Sequence, residues 1–124
     1  MRVDIQGSAV AERSVVRRHV ERRALFELAR YGEAIESVRM RVTDRPPSSE
    51  HPYHCGVAVT VVDADGAPAH LFARAEGDDV FRLIDSVLAR AASLVGGEIE
   101  RAVAAREARA EWMTLAAAAA RSGS

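Results

Sequence analysis

Val3 and Ile5 alternate with Arg2, Asp4 and Gln6, the period-two pattern of a short half-buried strand, and Gly7-Ser8 ends it. From about Arg13 or Ser14 the period changes. Val16, Val20, Ala24, Leu28 and Tyr31 recur at helical spacing, so a helix is expected to run to Tyr31, with Gly32 as its stop. Glu27 falls inside that stripe while Leu25 and Phe26 fall off it, which predicts a local irregularity near residues 25–27. Alternation returns at Val38, Met40 and Val42, with Arg39 and Arg41 between them. The stretch Asp44-Arg45-Pro46-Pro47-Ser48-Ser49-Glu50-His51-Pro52 reads as a loop, because its prolines remove backbone donors and fix φ.

Cys55, Val57, Val59 and Val61 share one face of a third strand. Asp63-Ala64-Asp65-Gly66 makes a hairpin turn. In the fourth strand Ala69, Leu71, Ala73 and Ala75 face the core, with His70, Phe72 and Arg74 opposite. Asp78 or Asp79 then caps a second helix, whose stripe is Val80, Phe81, Ile84, Val87, Leu88, Ala91 and Val95. Gly96-Gly97 is expected to weaken or break it. Residues 98–120 are helix-formers again, with Ile99, Val103, Trp112, Met113 and Leu115 as the larger apolar groups, and Arg121-Ser122-Gly123-Ser124 is expected to fray.

The order is β-α-β-β-β-α plus a helical tail, an α+β fold. The β-α-β opening makes the first two strands parallel with a right-handed crossover, and the later links make the rest antiparallel. Each helix has one apolar stripe and each strand one apolar face. The expected architecture is a two-layer sandwich, a four-stranded sheet with both helices on one face. Residues 1–97 form the domain and residues 98–124 a helical extension.

Composition narrows the class. The 124 residues fit one domain, and 48% hydrophobic content supplies a core. No apolar run nears the roughly 20 residues of a membrane span, and Met1-Arg2-Val3-Asp4 does not open an export signal. A single cysteine, Cys55, fits a reducing cytoplasm. All 17 basic residues are arginine, which forks onto phosphates well, yet the net charge is −1. Residues 1–50 hold ten Arg against eight acids and residues 51–124 seven against ten, so an RNA-binding face must be a local patch.

Two stretches resemble a known family. Ala75-Glu76-Gly77-Asp78-Asp79-Val80-Phe81-Arg82-Leu83-Ile84-Asp85 is similar to the strand end, acidic cap and second-helix opening of the ribosome hibernation promoting factor and ribosome-associated inhibitor A family, with Leu83 where the family often has alanine. His19-Val20-Glu21-Arg22-Arg23 through Tyr31-Gly32-Glu33-Ala34-Ile35-Glu36-Ser37-Val38 resembles the family's first helix, turn and second strand. The similarity spans about Arg2 to Val95. It implies a fold like a double-stranded-RNA-binding domain and binding to the small ribosomal subunit's RNA, where members occlude messenger and transfer RNA and inhibit translation under stress. It implies no cofactor, no small-molecule substrate and no membrane. Long members add a C-terminal dimerisation domain, which this chain is too short to hold. The family's second helix continues with basic residues. Arg90 fits that pattern, whereas Ser93, Gly97 and Ile99 do not.

Under that reading the contacts are electrostatic and made to phosphates. The candidates are Arg17, Arg18, Arg22, Arg23 and Arg30 on the first helix, and Arg82 and Arg90 on the second. Arg18 and Arg22, four apart, share a helix face. The plain alternative is a solvated helix surface laced with Glu21, Glu27 and Glu33. Arg39, Arg41 and Arg74 point to the open side of the sheet, where a solvent-facing role is the simpler reading. His51, His54 and Cys55 bear zinc-ligand chemistry, but adjacent strand residues face opposite ways, so no metal site is expected. Asp63-x-Asp65-Gly66 opens like a calcium loop without its later ligands. No nucleophile triad, phosphate loop or carboxylate pair points to an enzyme. A second class remains, a protein-interaction module that keeps the fold without the ribosome. The apolar residues of the tail predict self-association through residues 98–120.

Overall fold

The computed structural model describes residues 1–46 and 50–123; Pro47, Ser48 and Ser49 of the proline loop and the terminal Ser124 lie outside the described residues. Four strands, β1 (Arg2–Gly7), β2 (Ile35–Asp44), β3 (Tyr53–Val62) and β4 (Pro68–Gly77), form one sheet in the order β1-β2-β3-β4. β1 runs parallel to β2, and the β2–β3 and β3–β4 pairs are antiparallel, as the connection lengths require. Val38, Met40, Val42, Cys55, Val57, Val59 and Val61 are buried on one face. Ile35 joins them although it is out of step with Val38. The register shifts between Ile35 and Ser37, a bulge that lets exposed Glu36 through and returns Ile35 to the core opposite Val61.

Helix α1 (Ala9–Glu12) is a single turn that inserts Val10 and Ala11 into the core, too short to carry a sequence period. The turn before it depends on Gly7. Its φ is +145°, and a Cβ there would lie 1.8 Å from the Val42 carbonyl oxygen. That approach lets the Ser8 N–H donate to the same carbonyl at 3.2 Å. Helix α2 (Ser14–Leu28) buries Val16, Val20, Ala24 and Leu28. It ends at Leu28 rather than Tyr31, and a 3-10 segment, Ala29–Ala34, carries the chain through Gly32 to β2. The irregularity expected near residues 25–27 is absent, for α2 is continuous there. Leu25 and Phe26 simply face outward, and Glu27 is accommodated because Arg23 pairs with it at 2.7 Å.

Helix α3 (Val80–Ser122) has 43 residues, about 65 Å at 1.5 Å per residue. Asp79 is its cap, accepting from the backbone N–H of Phe81 and Arg82 at 3.1 and 3.2 Å. Val80, Ile84, Val87, Leu88, Ala91 and Val95 bury its stripe over the sheet. Gly96-Gly97 does not interrupt it. A Cβ on Gly96 would come within 2.8 Å of the Tyr31 hydroxyl, so the glycine makes room for the ring. Packing on both sides keeps the helix intact despite its low propensity there. Ile99 still packs against the core, and Arg109 reaches Asp65 at 3.6 Å in the β3–β4 turn. That turn is held by Asp63, whose carboxylate accepts from the N–H groups of Asp65 and Ala67, with Gly66 at φ +82°. Of the four residues expected to fray, Arg121 and Ser122 are helical, Gly123 forms the closing turn, and Ser124 lies outside the described residues.

Candidate RNA interface

Arg17, Arg18 and Arg22 stand exposed on α2 with no ion pair or hydrogen-bond partner among the described residues. The core stripe turns the opposite side of α2 inward, so these guanidiniums necessarily face water. Arg18 and Arg22 are one turn apart and form a ridge; Arg17 lies a quarter-turn away, beside exposed Glu21. Val15, Leu25 and Phe26 are also exposed on this helix.

Between α2 and α3 the picture differs. Asp85 of α3 accepts from His19 at 2.7 Å and lies 3.7 Å from the Arg23 Nε, close enough for attraction but beyond hydrogen-bond reach. Arg23 is also paired with Glu27, and its guanidinium lies 4.9 Å from the Phe26 ring centre. The His19 ring meets Phe81 edge-on at 5.1 Å. Arg23 is therefore tied into the inter-helix seam, with two carboxylates against its charge. Nothing in the sequence marks the His19–Asp85 pair, since 66 positions separate them.

The remaining candidates disperse. Arg30 lies over Tyr31 at 4.9 Å, in the 3-10 segment. Arg82 is exposed and lies 3.7 Å from Asp79 at the start of α3. Arg90 turns to the sheet, donating to the Arg74 carbonyl oxygen of β4 at 2.9 Å. The structure thus brings Arg17, Arg18 and Arg22 together, fastens Arg23 and Arg90 to protein groups, and leaves Arg30 and Arg82 apart.

His54 and Cys55 face opposite sides of β3, as alternation requires. Cys55 is fully buried with its Sγ 3.2 Å from the Met40 Sδ, and burial pushes its thiol pKa up to about 12. Among the described residues no group of three or more His, Cys, Asp and Glu is placed to hold a metal, and no helix is long and apolar enough to cross a membrane. The outward sheet face carries Arg39, Arg41 and Arg74 around Gly56 and Ala58, beside Phe72, which is 71% exposed. Alternation placed each arginine on that face. Only the strand register reveals that they adjoin.

No protein-family profile matches the chain, and no curated protein does. Solved structures do. A ribosomal subunit interface protein from Coxiella burnetii aligns over 79% of this chain and 97% of its own, with a TM-score of 0.56 and 15% identity. The N-terminal domain of Protein Y from Thermus thermophilus aligns over 77% and 96%, with a TM-score of 0.51 and 18% identity. At such identities the likeness is one of backbone, and it agrees with the resemblance carried by the two sequence motifs. The chain has the fold of a ribosomal subunit interface protein and of the Protein Y N-terminal domain.

Proposed function

We propose that the chain is a cytoplasmic translation inhibitor that binds small-subunit ribosomal RNA without performing chemistry. The observation that carries this reading is the ridge of Arg18 and Arg22, with Arg17 a quarter-turn away, which makes no ion pair among the described residues, on a fold shared with ribosome-associated proteins. Such guanidiniums neutralise phosphates and release counterions, which gives affinity without base reading. Arg82 adds a contact from α3; Arg30 and Arg90 are peripheral, and Arg23 holds the two helices in place. No cofactor is needed. Sedimentation of the chain with small subunits across a salt series tests the reading. Co-migration should fall steeply with salt, and Arg18→Glu with Arg22→Glu should abolish it while the fold persists. Absence of co-migration at every salt concentration sinks it.

A second reading rests on Val15, Leu25 and Phe26, which are 50%, 60% and 74% exposed along the same helix. A protein-interaction module would use these exposed apolar groups, and Phe26→Ala would then weaken partner capture more than Arg18→Glu. Within either reading, residues 1–97 carry the binding domain, and residues 98–120 join two copies through the apolar groups of the protruding helix.

A further inference from the structure

The side of the sheet away from the helices holds an open depression of about 600 Å³, lined among others by Arg39, Arg41, Gly56, Ala58, Phe72 and Arg74. Strand register sets these residues in two adjoining rows. Gln6, Arg41, Gly56 and Arg74 lie side by side across the four strands, and Asp4, Arg39, Ala58 and Phe72 form the next row. Arg41 and Arg74 flank Gly56, so their strands are about 10 Å apart at the usual inter-strand spacing. Arg39 and Arg41 are about 7 Å apart along β2.

Three features of this face are not required by the fold. First, the acids beside the arginines pair with other groups: Asp4, next to Arg39, pairs with Arg2 at 3.4 Å, and Glu76, two residues from Arg74, pairs with Arg45 at 2.6 Å. That leaves Arg39, Arg41 and Arg74 without an ion pair to a carboxylate among the described residues. Second, Gly56 sits mid-strand without a positive φ, and a Cβ there would meet nothing nearer than 3.9 Å. Neither backbone nor packing asks for glycine. A strand glycine of this kind keeps the surface open to a close approach. Third, Phe72 presents its ring to solvent beside that opening, 71% exposed.

We propose that this face binds a short single-stranded RNA segment, with phosphates on Arg39, Arg41 and Arg74 and one base stacked on Phe72 over the Gly56–Ala58 floor. Guanidiniums match phosphate oxygens in fork geometry, and an aromatic ring accepts any base. An acidic peptide would satisfy the arginines but has no use for a flat floor beside an exposed ring. The site lies on the face opposite α2; only the choice of RNA as ligand rests on the function proposed above.

The test measures anisotropy of a short fluorescent oligouridylate titrated with the full chain. Expected are binding with a log–log salt slope of about −2, for three phosphates on a single strand, and roughly ten-fold weaker binding for Phe72→Ala. Gly56→Val should fill the floor and abolish binding while leaving stability equal or higher, since valine favours strands. In an Arg18→Glu, Arg22→Glu background the losses caused by Phe72→Ala and Gly56→Val should persist at the same size, which separates this site from the α2 ridge. Wild-type affinity in both Gly56→Val and Phe72→Ala overturns the proposal, as does an absence of binding at low salt. Polyglutamate binding as tightly as the RNA, with the same dependence on Phe72, overturns it in favour of an acidic protein partner.

Discussion

Cys55 shows how one side chain's surroundings set its chemistry. Sealed between β3 and the helices, its thiol is pushed from an ordinary 9.0 to about 12 by loss of solvation. The group is neutral when protonated, so the folded chain holds its proton where the unfolded chain has released it. Its contribution to stability is complete below pH 9, and falls by up to about 1.4 kcal/mol per pH unit as pH rises towards 12. Urea unfolding at pH 8 and pH 10 should show that loss, and Cys55→Ala should remove the difference. The folded thiol should also resist alkylation at pH 8 and react only on unfolding. Asp79 acts through two hydrogen bonds to free backbone donors, so Asp79→Ala should cost about 1 kcal/mol in the same unfolding assay. Gly7→Ala should be far worse, because its methyl would drive into the backbone of Val42 rather than a flexible side-chain end. A loss of about 3 kcal/mol or more, or failure to fold, is expected by urea titration.

At the level of elements, the strands were legible because burial on one face imposes a period of two. Val38, Met40 and Val42, and Cys55 through Val61, carry that period without interruption. Ile35 escaped because the bulge at Glu36 breaks the parity that the reading relies on. The end of α2 was misplaced for a related reason. Tyr31 keeps its helical spacing from Leu28, yet it serves the 3-10 segment and packs against Gly96. The pair Gly96-Gly97 looks like a stop by propensity alone, but contacts made by Val95 before it and Ile99 after it outweigh that cost. The two glycines should therefore respond differently. Gly97→Ala meets open space and should stabilise the chain by about 1 kcal/mol in urea unfolding. Gly96→Ala should gain less or lose, because the Tyr31 hydroxyl must move aside.

For the whole molecule, the candidate site was legible as a set of arginines but not as a surface. Position on a helix says which side chains face water; it does not say which carboxylates the neighbouring element brings. Arg23 and Arg22 are adjacent in the chain, yet only Arg23 meets Asp85. Arg90 likewise finds the Arg74 carbonyl, which no spacing along α3 foretells. The protruding part of α3 poses the complementary problem. Trp112, Met113 and Leu115 are 70%, 68% and 60% exposed, and a helix of that length is marginal alone in water. Light scattering should find a dimer, converted to a monomer by truncation after Arg109, which keeps the contacts of Ile99 and Arg109 and so the domain's thermal unfolding. A monomer in both forms would remove the tail from any role in self-association.

The continuity of α3 has a mechanical consequence. Because one rod begins over the sheet and runs on past the β3–β4 turn, whatever grips its far end is held at a fixed height and bearing relative to the domain. The rod works as a ruler whose marks are residues, each advancing about 1.5 Å and turning about 100°. Two alanines inserted beyond Arg109 would lift Trp112 by only about 3 Å but swing it by about 200°, to the far side of the rod. A partner that depends on that bearing would be lost, and a further insertion completing the turn would bring it back.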